Sequence, residues 1–380
     1  MTGIHTEPRS VRRLVIEGEA PLVVKIGSSL LVDDAGRPRM DWMRRLAGRL
    51  AERPGPVLVV SSGAIGLGRE PLGLDGRPGS LAEAQAAAAI GQIRLAQAWA
   101  EVWSGLDRTA AQVLLTLADL EDRARYLNAR NTIETLLGRG IVPIVNENDI
   151  VATGEIRFGD NDRLAARVAL LAGAEVLLLL SDVDGLYRSD PRRDPGAERI
   201  DEVEWIDRDI EALAGSAQKT GFGTGGMISK LAAARIAVDG GCPVLLAGGI
   251  GDGDPIQRVE HGGGTHFHAT ERPLARRKHW LRSLQRRAGA IHIDAGAAAV
   301  LARGASLLAT GVLRIDGEFE RGAPVTIAAP EGPIGQGLAG YDSAEAAAIA
   351  GHRSSRFEAL LGYAGRGPVV HRDDLVLFGR

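Results

Sequence analysis

Six short segments carry residue types suited to holding a phosphate and a small charged substrate. In Val23-Val24-Lys25-Ile26-Gly27-Ser28-Ser29 a lysine interrupts the end of an apolar run, and glycine and serine follow at once. Glycine lets backbone N–H groups approach an anion closely, and successive N–H groups in a turn form an anion nest. Lys25 adds a fixed positive charge. A strand-end lysine reaching solvent has the same local sequence, and this segment alone does not separate the two readings. Ser61-Ser62-Gly63-Ala64-Ile65-Gly66-Leu67-Gly68 follows a second apolar run. Small residues at a strand-to-helix switch leave room for a ligand, and a helix N-terminus favours anions. The segment has neither the Gly-Lys-Ser/Thr of a P-loop nor Gly-x-Gly-x-x-Gly, and in isolation it reads as a tight turn.

Asn146-Glu147-Asn148-Asp149 and Phe158-Gly159-Asp160-Asn161-Asp162 place dense polar groups close together. They suit an amino acid's ammonium group, or the orientation of a lysine or Mg²⁺; the alternative is a pair of polar turns with Asx hydrogen bonds. Ser181-Asp182-Val183-Asp184-Gly185-Leu186-Tyr187 follows the most apolar run, and Gly223-Thr224-Gly225-Gly226-Met227-Ile228-Ser229-Lys230 opens a helix. Two glycine loops, each with a lysine, favour a nucleotide enzyme over two surface loops. His266 and His268 flank Phe267 with no third ligand at metal spacing, and Trp99 and Trp103 lie at helical spacing. Both pairs read as structural.

The elements that must position these groups show an alternating pattern. Short apolar runs at 22–26, 57–60, 113–115, 141–145, 176–180 and 244–246 each end in Gly, Ser, Asp or Asn. Helix-like stretches at 42–52, 81–103, 124–137, 163–171 and 228–238 lie between them. Such alternation predicts an α/β fold, with a mainly parallel sheet between helices. Continuous apolar runs suit strands buried on both faces. Ligands of such sheets sit beyond the carboxyl ends of the strands, where the polar segments fall. The pattern changes near residue 265. Residues 272–287 hold seven Lys/Arg, no acid and Trp280, and read as a basic linker. Beyond 288, short β-like pieces at 290–293, 311–315, 324–328 and 333–338, with a helix at 344–350, predict a small strand-rich domain. The expected division is an extension at 1–19, a catalytic domain at 20–265, the linker at 266–287 and the small domain at 288–380.

Composition limits the classes of function. The 380 residues are 45% hydrophobic and 24% charged, with a formal net charge of -3, so bulk charge gives no basis for non-specific nucleic-acid binding. Residues 288–380 carry 8 Lys/Arg against 10 Asp/Glu, which leaves that region without an electrostatic footprint for RNA. Cys242 is the single cysteine, which excludes an intramolecular disulfide and fits a reducing compartment. The first 20 residues lack the apolar stretch of a signal peptide, and no apolar run reaches the ~18 residues that span a membrane. A cytoplasmic location is expected.

Read together and in order, Val-Lys-Ile-Gly-Ser-Ser, Ser-Ser-Gly-Ala-Ile, Asn-Glu-Asn-Asp, Gly-Asp-Asn-Asp, Ser-Asp-Val-Asp-Gly-Leu-Tyr and Gly-Thr-Gly-Gly-Met resemble the amino acid kinase family. Leu127-Asn128-Ala129-Arg130-Asn131-Thr132 resembles the branch of that family that acts on glutamate. The tail, with Gly351-His352 and Val370-His371-Arg372-Asp373-Asp374, resembles a PUA domain. The resemblance covers nearly all of the chain from about residue 20. It implies ATP-dependent phosphorylation of the L-glutamate side-chain carboxylate, with Mg²⁺, as the first step of proline biosynthesis. Rivals within the fold are acetylglutamate kinase, aspartokinase and uridylate kinase, which usually lack this tail. By the resemblance, Lys25 and Lys230 contact the transferring phosphate and Asp162 orients both. Ser62, Asp149 and Asn161 bind glutamate. Lys25, Ser181, Asp182, Thr224, Gly225, Gly226, Met227, Ile228, Ser229 and Lys230 border ATP. Ile228 stands where the family often has serine, and Ser229 beside it is then the expected phosphate contact. The resemblance also implies feedback inhibition by proline, a homo-dimer or tetramer, and hand-over of the acyl phosphate to a glutamyl phosphate reductase.

Overall fold

A computed structural model describes residues 10–76, 78–151, 161–191, 193–194, 196–216, 226–250, 254–269, 289–365 and 367–378. Phe158-Gly159-Asp160, Gly223-Thr224-Gly225 and the basic stretch 272–287 lie outside the described residues. The chain forms two compact units, 1–120 with 132–271, and 121–131 with 272–380.

The first unit is built on an eight-stranded sheet. Its strands are β1 (Leu22–Ile26), β2 (Val57–Ser61), β3 (Ala110–Leu115), β4 (Val142–Glu147), β5 (Val176–Ser181), β8 (Glu202–Val203), β9 (Val244–Gly248) and β10 (Thr265–Phe267); β6 (Leu186–Tyr187) and β7 (Arg199–Ile200) form a separate hairpin. The sheet order is β3-β4-β2-β1-β5-β9-β10-β8. β1, β2 and β5 are buried at every position, as unbroken apolar runs between two helical layers require. β3 starts earlier than its apolar run, because Ala110, Ala111 and Gln112 pair in register with Val142, Pro143 and Ile144 of β4. The same pairing carries β4 on through Asn146 and Glu147, which the sequence had placed in a loop.

The helices of this unit are α1 (Val11–Glu17), α2 (Ser28–Leu31), α3 (Met40–Ala51), α4 (Ala64–Arg69), α5 (Leu81–Ser104), α6 (Leu117–Glu121), α7 (Arg123–Gly138), α8 (Asn161–Ala172), α9 (Arg208–Ser216), α10 (Met227–Asp239) and α11 (Pro255–Glu260), with the start of α7 belonging to the second unit. Trp99 and Trp103 are fully buried, as their spacing predicted, and Trp99 Nε1 donates to Ser61 Oγ at 2.9 Å. Gly68 and Gly91 let α4 and α5 cross in backbone contact: a Cβ on Gly68 would lie 1.8 Å from the Ala87 carbonyl oxygen, and one on Gly91 1.7 Å from that of Ala64. This crossing fixes the start of α4, and so the Ser62-Gly63 loop before it.

At the far edge the chain reverses. Gly262 and Gly264 take φ values of 87° and 94°, which suit glycine, and β10 then runs antiparallel to β9. β8 adds outside it, parallel to β10.

The second unit has a five-stranded sheet of β11 (Gly289–Ile293), β12 (Val312–Asp316), β13 (Pro324–Ala329), β14 (Gly332–Leu338) and β15 (Leu375–Leu377), in the order β12-β11-β13-β14-β15. β11 and β13 are parallel and the other pairs antiparallel. Ile291, Val325, Ile327, Tyr341, Ile349 and Val370 form its fully buried centre. The predicted helix spans Ser343–Ile349, capped by the Asp342 side chain, which accepts from Glu345 N. Residues 121–131, expected in the catalytic domain, group with this unit. Arg123 forms an ion pair with buried Asp374, and Arg321 donates to Asn128 Oδ1.

Candidate active site

Register brings the reactive ends together. Lys25 pairs with Val60 on one side and Leu179 on the other, so β1, β2 and β5 end level. Gly27 N donates to the Leu180 carbonyl and Ser62 N to that of Ile26, which ties the loops after β1 and β2 to this rim. Gly63 has φ of 105°, a left-handed conformation that admits glycine without strain, and it starts α4 sharply behind Ser62.

Asp162 lies in the first turn of α8, fully buried. Its Oδ1 is 2.5 Å from Lys25 Nζ. Its Oδ2 accepts from Ser229 Oγ at 2.7 Å and lies 3.6 Å from Lys230 Nζ. Lys25 and Lys230 are themselves 6% and 7% exposed, so both ammonium groups are held out of water. Burial alone would push the Asp162 carboxyl up, but the Lys25 and Lys230 charges, with hydrogen bonds from Lys25 and Ser229, outweigh it and hold the pKa below its ordinary value. Burial pushes Lys230 down; Asp162 and Asp182 oppose this, and Lys25 adds to it. Two buried ammonium groups thus converge on the Asp162 carboxylate, with Asp182 also acting on Lys230. Ammonium groups held close together out of water are the kind of groups that stabilise negative charge on a ligand.

The structure brings Lys25, Asp162, Ser229 and Lys230 together from three elements, β1, α8 and α10. α10 opens at Gly226, which is extended and offers no side-chain cap, and Met227, Ile228, Ser229 and Lys230 follow in the first turn. Ile228 points outward, 63% exposed. Ser181 is buried and its hydroxyl donates to Asp182 Oδ1 at 2.9 Å, just after β5. Thr224 and Gly225 lie outside the described residues.

Ser62 and Asp149 sit in the loops after β2 and β4, and Asn161 opens α8. Burial raises the Asp149 pKa to about 6. The Asn161 side-chain oxygen is buried and accepts no hydrogen bond among the described residues. An amide oxygen that meets no donor among the described residues is a group an ammonium would satisfy, as is a buried carboxylate. Asn146 serves the scaffold instead, donating to Gln92 Oε1 on α5 at 2.6 Å and accepting from Glu147 N. Gln92 carries no sequence signal, because its partner is 54 residues away. The Ser229 hydroxyl, expected on phosphate, goes to Asp162 here. Its position directly before Lys230 was the available clue.

The sequence profile described as the Amino acid kinase family matches residues 20–248, and that of the PUA domain matches 289–361. The chain is 53% identical over 362 residues to a glutamate 5-kinase of Dinoroseobacter shibae, which covers 94% of this chain and 98% of that one. It is 52% identical over 361 residues to one from Cereibacter sphaeroides, covering 94% and 96%. A third, from Ruegeria sp., is 50% identical over 362 residues, covering 94% and 98%. On this similarity over nearly its whole length, the chain belongs to the glutamate 5-kinases of the amino acid kinase family, with a C-terminal PUA domain.

Proposed function

We propose that this chain transfers the γ-phosphoryl group of ATP to the side-chain carboxylate of L-glutamate, giving L-glutamyl 5-phosphate for proline biosynthesis. The observation that carries the mechanism is the buried Lys25–Asp162–Lys230 set at the carboxyl ends of β1 and β5. A glutamate side chain with pKa ~4.3 is already an anionic nucleophile at neutral pH, so no general base is needed. The obstacle is repulsion between that carboxylate and the phosphate. Lys25 and Lys230 offset it and stabilise charge on the equatorial oxygens during transfer. Asp162 holds both ammonium groups in place, and Ser229 fixes the carboxylate's rotation. Ser62, Asp149 and Asn161 hold glutamate, with Asp149 facing the ammonium group. Ser181, Asp182 and residues 224–230 border the nucleotide.

Asp162 is committed to the two lysines and to Ser229. Mg²⁺ would be brought by ATP and would neutralise phosphate charge during transfer. No described helix is long and apolar enough to cross a membrane. The same reading includes a cytoplasmic homo-oligomer inhibited by proline, with its acyl phosphate consumed by a glutamyl phosphate reductase. It also places the whole active site before residue 265 and leaves the PUA unit to tune it.

The test is ATP turnover with glutamate, N-acetylglutamate, aspartate and UMP, trapping acyl phosphate with hydroxylamine. Glutamate alone should give the hydroxamate at a high rate. An acetylated amine leaves a buried carboxylate unpaired, so use of N-acetylglutamate as readily as glutamate would overturn the proposal.

A further inference from the structure

The sequence left His266 and His268 without a third ligand; strand pairing supplies one. β10 places the two histidines two residues apart on one side of the sheet, their ring centroids 3.9 Å apart. β8 pairs parallel to β10 with Glu202 opposite His266. Glu202 Oε2 lies 3.1 Å from His268 Nε2. One ligand atom from each of Glu202, His266 and His268 falls within 4.8 Å of the others. Backbone bonds hold this frame: His266 N donates to the Asp201 carbonyl and His268 N to that of Val203.

We propose that Glu202, His266 and His268 form a site for a divalent transition-metal ion of the zinc type, which clamps the two-residue edge strand β8 to β10. Two imidazoles and one carboxylate are a donor set that suits Zn²⁺ and its neighbours. Mg²⁺ prefers oxygen ligands in near-ideal octahedral geometry, so this cluster discriminates against it. Glu202 and His268 have side chains 58% and 41% exposed, which leaves an entry path and room for water as a further ligand. Rotation of these two side chains closes the set to the ligand separations of about 3.3 Å around an ion bound at about 2.0–2.1 Å. A hydrogen bond between Glu202 and one histidine does not account for the second ring packed against the first. An ion that takes a lone pair from each does. The site is three strands along the sheet from β1 and Lys25, so it is separate from phosphoryl transfer. Among the described residues Arg12 is a charge that acts against a cation here, close enough to disfavour protonated His266, and its guanidinium bonds the Gly263 and Gly264 carbonyls just before β10.

The full chain, stripped with chelator and desalted, is titrated with ZnCl₂ by calorimetry and melted at several zinc concentrations. The expected result is one Zn²⁺ bound per chain through this cluster and a melting temperature that climbs with zinc, as for any ligand of the native state alone. MgCl₂ should give no such climb. His268→Ala and Glu202→Gln should each weaken zinc binding by about tenfold or more, since even outer partners of metal ligands cost about 10–100-fold. Arg12→Gln should tighten it, an outcome that loss of folding does not mimic. Co²⁺ should give a visible absorption band in the parent chain that Glu202→Gln, which keeps the side chain's shape, abolishes. Absence of both a saturable zinc isotherm and a cobalt band in the parent chain would overturn the site. So would zinc affinity that is unchanged in folded His268→Ala and Glu202→Gln.

Discussion

Each unit of this kinase buries an aspartate against cationic side chains, but in different proportions. In the first unit Asp162 meets Lys25 and Lys230, both nearly inaccessible, together with the Ser229 hydroxyl. In the second unit Asp374, 2% exposed, pairs with Arg123, whose side chain is 22% exposed. The Arg123–Asp374 pair ties the start of α7 to the β15 region. In the first unit two nearly inaccessible ammonium groups converge on one carboxylate. Removing charges from water costs several kcal/mol per ion, so bringing like charges together there has its own cost. The lesson is to ask how many like charges converge on one buried partner, because a ligand of opposite charge relieves their mutual repulsion.

The comparison breaks most directly at Asp162. Asp162→Asn leaves two buried ammonium groups without their anion, which should cost about 3–5 kcal/mol of stability. Turnover should fall severely as well, and added ATP should restore part of the lost melting temperature. Denaturant melts with and without nucleotide, beside kcat, measure both effects. Near-normal turnover would remove Asp162 from the machinery.

Lys230→Ala tests one of the two charges that converge on Asp162. Loss of one such electrostatic contact lowers kcat by about 10²–10³. The KM for glutamate should move far less, since the proposed role sets this ammonium on the phosphate and not on the amino acid. Steady-state kinetics separate the two, and a near-normal kcat would refute the role. Asp374→Asn is the matched change in the second unit's ion pair with Arg123. It should weaken the second unit by about 1.5–3 kcal/mol, the worth of a hydrogen bond to a charged group. Its kcat should stay within a factor of two of the parent, measured well below the melting temperature. A tenfold fall would mean that this pair also serves catalysis.

Ser229→Ala sharpens the picture within the first set. It removes a single hydroxyl from Asp162 Oδ2 and should lower kcat by about tenfold, or roughly 1.4 kcal/mol. Ser229→Thr should recover most of the rate, because it restores the hydroxyl. No recovery would assign the effect to packing.

Asp149 gives the mildest test, by pH. Its pKa is raised from 3.8 to about 6 by burial, so in the free enzyme it is ionised above about 6 and neutral below. kcat/KM for glutamate should be level above that value and fall about tenfold per pH unit beneath it, as free-enzyme ionisations require. Asp149→Asn should flatten this limb while lowering the plateau. For stability the sign is opposite. A raised carboxyl pKa favours the folded chain most when protonated, so this group's contribution declines as pH rises from 3.8 through about 6.

Much of the fold was legible because buried parallel strands have a local signature. The runs at 22–26 and 176–180 are apolar at nearly every position, a pattern that only two-sided burial explains. Lys25, Asp162 and Lys230 stood in marked segments, at the end of an apolar run, in a polar cluster and after a glycine loop, but only the family resemblance joined them in one role. Strand ends were less clear. β4 runs on into Asn146 and Glu147 because β3 pairs with it there, and pairing is invisible in the run itself.

By itself, then, the sequence determined the layered α/β plan, the strand ends after which the polar segments fall, and the strand-rich tail. These follow from periodicity and from residue types a few positions apart. Tertiary structure alone decided which distant groups meet. Ser229 reaches Asp162 across 67 residues, and Glu202 reaches His268 across 66. It also decided that residues 121–131 join the tail, through Arg123 and Asp374. Such encounters are set by strand order and helix packing, which depend on the burial of the whole chain and leave no trace in the residues beside each partner.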